Sequence, residues 1–151
     1  MLTYYREVDT YPHTEREVIS GNQEQRRTDE FAAEARAIVS RRFESTVNGC
    51  LDRVEALRDD RRSSTDVAEI ALAAQEGRVE SLVIAVDREI YGTLTDGAGS
   101  IVPREKASAG TYDVLDEVVG LTLRQGGVVI GARANKLPEE FWIAAIFRYA
   151  A

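Results

Sequence analysis

The chain holds one cysteine, one histidine and two lysines among its 151 residues. No stretch approaches the roughly eighteen consecutive apolar residues that a bilayer-spanning helix needs. Each scarcity removes a class of function. With Cys50 alone no internal disulfide can form, and its place on an apolar helical face marks it as a buried, inert thiol. His13 alone supplies a side chain that titrates near neutrality, and only Asp9 and Glu15 stand close to it in sequence, so a turn or surface role is favoured over catalysis. No Cys/His cluster has metal-ligand spacing, and no cofactor fingerprint is present, so neither metal nor cofactor is expected. The opening residues lack a basic segment followed by an apolar core, which leaves the cytoplasm as the expected compartment, with no membrane as partner.

The net charge is −7. Nucleic-acid binding draws much of its affinity from cations that neutralise phosphates, so this overall sign is wrong for it. The acid excess lies mainly after Arg62, where 8 basic face 13 acidic residues, against 11 and 13 up to that point. Arg26, Arg27, Arg36, Arg41 and Arg42 form the one local cluster that could touch RNA, although a solvated helix face explains it more simply.

What is present is a series of periodic segments. "LTYYREVDTYPHTE" starts with a mixed apolar and charged stretch, and Leu2 to Asp9 reads as a short strand that ends before Pro12. Gly21 and Asn22 mark a turn. From Thr28 to about Arg61 there is no proline, and Phe31, Ala35, Ile38, Phe43, Val47, Cys50, Val54 and Leu57 recur at helical steps. Asn48 and Gly49 would weaken that long helix by about 1 kcal/mol and are expected to bend it. A second helix is bounded by Ser64, Thr65 or Asp66 as caps and by Gly77 as its stop, with Val67, Ile70, Ala71 and Ala74 facing inward.

"VESLVIAV", Val79 to Val86, is apolar on both alternations after Leu82, as in a central strand covered on both sides. Ile90 to Leu94 reads as a more exposed strand, and Thr95 to Gly110 as a loop of unusual length for a compact domain. A third helix is expected with a cap at Thr111, with Asp113, Asp116 and Glu117 near its start, and with Val114, Leu115, Val118 and Leu121 buried before Gly126. "VVIGA" and "FWIAAIFRY" supply two further strands, with Phe141 and Trp142 read most simply as core or sheet-face residues and, as the less favoured alternative, as an exposed partner site. The order of elements predicts four strands in one sheet layered by helices.

The segments "YREVDTYPHTEREVISGN", "AAQEGRVESLVIAVDREIYGTL" and "TYDVLDEVVGLTLRQGGVVIGARANKLPEEFWIAAIFRY" resemble the C-terminal, third domain of bacterial proteins related to archaeal and eukaryotic peptide-chain release factors. The likeness covers nearly the whole chain. It implies a three-layer α/β/α sandwich, similar to the fold of ribosomal proteins that bind kink-turn RNA, preceded by a long helix. It further implies that residues 1–27 are a remnant or linker from a preceding middle domain and that 28–151 form the third-domain-like unit, the chain being a truncated or excised product. The Gly-Gly-Gln loop of release factors belongs to their middle domain and does not occur here. Gln125-Gly126-Gly127 is reversed and stands at a helix end.

By the same resemblance the chain is expected to be a non-catalytic, protein-binding domain in translation or ribosome rescue. Its partner would be a translation GTPase or a ribosomal component. The loops Thr95 to Gly110 and Arg133 to Glu140 are the contact elements, with Asp96, Arg104, Arg133, Asn135 and Lys136 as candidate protein-contact residues. One alternative is an RNA-binding module using Arg26, Arg27, Arg41 and Arg42, against which stands the missing Asn-Glu-x-x-Lys signature of kink-turn binders. Another is a small carboxylate-dependent hydrolase or nuclease using Asp87, Asp96 and Asp113, which would require those groups to converge.

Overall fold

A computed structural model describes residues 7–11, 14–15, 17–21, 26–94, 101–103, 112–139 and 141–150, with the backbone alone at 101–103. The chain divides into two compact units, Met1–Phe43 and Glu44–Ala151.

In the first unit, Glu7 and Val8 are helical and Asp9 is irregular, not extended as the stretch Leu2 to Asp9 suggested, and residues 2–6 of that predicted strand lie outside the described residues. Asp9 closes a local turn by accepting the backbone N–H of Tyr11 at 3.0 Å. That bond and one from the Thr14 side chain hold its carboxyl below the usual range, Thr14 contributing most. Gly21 takes φ +121°, a value the missing Cβ makes cheap. Helix α1, Thr28–Ala56, then begins with Asp29 and Glu30 in its first turn, where the helix dipole favours carboxylates. It crosses the boundary between the units. Asn48 and Gly49 do not interrupt it. Val47, Cys50 and Val54 pack on either side of that pair, and burial outweighs the roughly 1 kcal/mol local penalty.

The second unit is an α/β fold built on a four-stranded mixed sheet. Its elements are β1 Ser63–Ser64, α2 Val67–Gln75, β2 Val79–Ala85, β3 Tyr91–Leu94, β4 Ile101–Pro103, β5 Tyr112–Asp113, α3 Val114–Arg124, β6 Val128–Ala132, a 3-10 turn Ala134–Lys136 and β7 Ile143–Phe147. The strand order is β1-β7-β2-β6. β2 runs parallel to β6, with Leu82 opposite Val129, and antiparallel to β7, with Leu82 opposite Ala145. Strand alternation sends Leu82, Ile84, Ile143, Ala145 and Phe147 to one face, where Ile70, Ala71 and Ala74 of α2 and Val114, Leu115 and Val118 of α3 cover them. Val83, Ala85, Ala144 and Ile146 go to the other face, against Val47, Cys50 and Val54 of α1. This is the three-layer α/β/α arrangement, with β2 in the interior of the sheet as its continuous apolar run required.

Three local expectations change. The strand at 90–94 does not join the main sheet: β3 pairs with β4 and β5 in a separate three-stranded sheet. The place in the main sheet goes to the two-residue β1, through Ser63 opposite Ile146 and Ser64 opposite Ala145. Within the long loop, Ile101–Pro103 forms β4, while 95–100 and 104–111 lie outside the described residues. The cap of α3 is Asp113, whose Oδ1 accepts from Leu115 N–H at 3.0 Å and also from Ile90 N–H at 3.0 Å. Thr111 lies outside the described residues. Asp66 caps α2 by accepting from Glu69 N–H at 2.9 Å. Gly77 and Gly126 end the two helices at φ +71° and +73°, as their positions predicted.

Candidate protein-contact surface

The surface of interest is built where β2 and β6 end. Val86 N–H continues the ladder by donating to Ala132 O at 2.9 Å, and Ala85 N–H donates to Trp142 O at 2.8 Å, fixing the approach to β7. The next residue, Asp87, accepts the backbone N–H of Ala134 at 2.7 Å and so ties the β2 turn to the 3-10 turn after β6. Leu137 is buried at the end of that turn, and Lys136 pairs with Glu44 at 2.8 Å. Three anchors of different chemistry therefore hold one short loop against the sheet.

On this frame apolar and cationic side chains face solvent beside the exposed acids Asp87 and Glu89. Val86 is 65% exposed and Trp142 40% exposed. The Arg88 guanidinium carbon lies 5.2 Å from the centre of the Trp142 ring, within the range where a cation is attracted to an aromatic face. Val86 lies close over Gly131, since a Cβ there would come within 2.6 Å of its Cγ1. Arg133 and Asn135 are exposed beside this group. Such a rigid ring with a preordered arginine loses little conformational freedom on meeting a partner.

Of the residues the sequence singled out for protein contact, Arg133, Asn135 and Lys136 come together on this loop, whereas Asp96 and Arg104 lie outside the described residues. Val86 and Arg88 were not foreseen. Trp142, read first as core or sheet-face with an exposed partner site as the lesser alternative, precedes β7 and is 40% exposed. The usable signal was position: Trp142 follows a loop and precedes the wholly apolar "IAAIF".

The other candidate groups have structural roles here. Arg26 pairs with Glu34 at 2.6 Å, Arg27 with Asp29 at 3.1 Å, Arg41 with Glu17 at 2.5 Å and Arg42 with Glu15 at 2.6 Å. Asp87 and Asp113 each accept backbone N–H groups, Asp87 one and Asp113 two, and Asp96 lies outside the described residues, as do Pro12, His13 and Asn22. Among the described residues no group of three or more His, Cys, Asp or Glu side chains gathers to hold a metal. No helix among them is long and apolar enough to cross a membrane.

The fold has counterparts among solved structures. The C-terminal domain of a peptide chain release factor from Methanosarcina mazei superposes with a TM-score of 0.63 at 14% identity, over 88% of this chain and 99% of that one. Pelota from Archaeoglobus fulgidus superposes with a TM-score of 0.57 at 19% identity, over 88% of this chain but 38% of Pelota. No curated protein matches the sequence. Residues 1–78, more than half of the chain, match bacterial archaeo-eukaryotic release factor family 3, and the chain belongs to that family.

Proposed function

We propose that this chain acts in translation or ribosome rescue as a non-catalytic domain, through protein contacts made by the surface at the ends of β2 and β6. In this reading residues 28–151 are the binding domain and residues 1–27 link it to what precedes them in release-factor-like proteins. The observation that carries the proposal is the Arg88–Trp142 pair, 5.2 Å apart and partly exposed near Val86, close to a loop that Asp87, Leu137 and the Lys136–Glu44 pair fix to the sheet. A translation GTPase or a ribosomal component is the proposed partner, by analogy with the family. Arg133 and Asn135 supply the polar rim, and Asp96 and Arg104 belong to the second contact loop.

An RNA-binding role is less well supported, because Arg26, Arg27, Arg41 and Arg42 are each neutralised by a carboxylate and the chain is acidic overall.

Gradient sedimentation of cell extract tests the proposal with the wild-type chain and the Trp142→Ala and Arg88→Glu variants. The wild type is expected to travel with ribosomal fractions and the variants to stay near the top, at unchanged unfolding midpoints. A wild type that never leaves the top, or variants that travel with it, would overturn the reading. A salt series of RNA affinity should be flat or show no binding, and a steep loss of affinity with salt would instead favour phosphate contact.

A further inference from the structure

A second concave site shares no residue with the Trp142 surface. It is a groove of about 420 Å³ between α2, α3 and the small sheet. Leu72, Leu121 and Leu94 give it apolar walls, and Tyr112 lays a partly exposed ring along it. The Tyr112 hydroxyl is already engaged as acceptor of Leu94 N–H at 2.9 Å, which fixes that ring in place.

Among the described lining residues the polar groups are the amide of Gln75, the hydroxyl of Tyr112 and the carboxylates of Glu76 and Glu117. The side-chain oxygen of Gln75 is buried and accepts no hydrogen bond among the described residues. A buried acceptor without a donor costs about 1–3 kcal/mol, which a bound donor would recover. Glu76 Oε2 accepts from Arg78 Nε at 2.5 Å, and Glu117 Oε1 accepts from Arg124 Nη2 at 3.3 Å. Each carboxylate thereby retains one oxygen with no partner among the described residues. The groove thus offers an apolar trough, an aromatic face and three unspent acceptors.

We propose that this groove binds the side chain of an arginine presented by a partner polypeptide. The methylene stem fits the leucine walls, the planar guanidinium stacks on Tyr112, and its five N–H donors match the acceptors of Gln75, Glu76 and Glu117. The charges of Glu76 and Glu117 disfavour a carboxylate or phosphate ligand, and a purely apolar ligand would leave the Gln75 oxygen unsatisfied. The proposal does not depend on the role of the Trp142 surface.

The test is an NMR titration of the whole chain with N-acetyl-arginine methylamide and with the uncharged citrulline analogue. The arginine compound should move the amide signals of Gln75, Tyr112 and Leu121 saturably, with a Kd in about the millimolar range expected of so small a ligand. Citrulline should bind roughly ten-fold more weakly, because its donors carry no charge. Gln75→Met and Glu117→Gln should each weaken binding of the arginine compound while leaving the remaining spectrum unchanged. Equal binding of the two compounds, an absence of saturable shifts, shifts confined to other residues, or undiminished binding by both variants would overturn it. Ribosome association plays no part in this titration, so either proposal can fail without the other.

Discussion

The guanidinium carbon of Arg78 stands 5.3 Å from the centre of the Phe147 ring, and both residues are buried. A charge in that position is tolerable because Glu76 reaches Arg78 Nε at 2.5 Å, although Nη1 finds no partner among the described residues. Glu76 itself is half in water. The two halves of the pair should therefore respond unequally to removal. Glu76→Ala leaves a buried cation uncompensated and should cost about 1–3 kcal/mol, whereas Arg78→Met keeps the packing on Phe147 and should cost less than about 1 kcal/mol. Urea unfolding of both variants measures the difference.

Gly127 and Gly131 should tolerate alanine very differently. A Cβ on Gly127 would lie 2.6 Å from Thr122 Cγ2, 2.9 Å from Val79 O and 3.1 Å from Thr122 O. Thr122 is itself buried and bonded to Val118 O at 2.8 Å, so nothing there can yield. Gly131→Ala meets only the exposed Val86 side chain, which can turn aside. We expect a loss of about 2–4 kcal/mol at Gly127 and under about 1 kcal/mol at Gly131, read from thermal unfolding.

Asp113 joins two elements while Asp66 serves one. Removing the Asp113 carboxylate strands the N–H groups of both Leu115 and Ile90, the second of which leads into β3. Asp113→Ala should cost about 2 kcal/mol and Asp66→Ala about 1 kcal/mol, the usual loss for one helix cap. Hydrogen exchange should speed up at Ile90 and Leu115 in the first variant alone.

Cys50 supplies a pH-dependent prediction. Burial pushes its thiol up, Arg53 opposes this and Glu80 adds to it. The folded chain therefore holds the thiol proton more tightly than the unfolded chain. The stability that this contributes is complete below the unfolded thiol's pKa and is lost as pH rises through the higher folded value. As pH rises above the unfolded thiol's value of about 8.5, unfolding free energy should fall more steeply in the wild type than in Cys50→Ala. At pH 8, a disulfide reagent should modify Cys50 at least about ten-fold more slowly than a free thiol.

How far the sequence could be read depended on whether each element is decided locally. α2 and α3 announced themselves through periodic apolar residues and terminal Gly77 and Gly126, and β2 through a run apolar on both alternations. Those signals reside within each segment. Which sheet Tyr91–Leu94 would join does not, and neither does the existence of β1: two serines become a strand only because β7 offers its edge. The helix runs on through Gly49 for the complementary reason, since Val47, Cys50 and Val54 are buried on either side of it. In the candidate surface, Arg133, Asn135 and Lys136 were chosen because loops on a sheet are a recurrent place for contacts, and the structure places them just after β6. Arg88 escaped because its partner ring stands fifty-four positions further along the chain.

The position of β7 bears on how the molecule is made. β2 acquires its antiparallel neighbour, and β1 acquires any neighbour at all, only when Ile143–Phe147 arrives. During synthesis the helices α1, α2 and α3 exist before the strand whose side chains fill the space between them. Until that strand is delivered, the main sheet can consist only of the β2–β6 pair, and β1 has no edge to join.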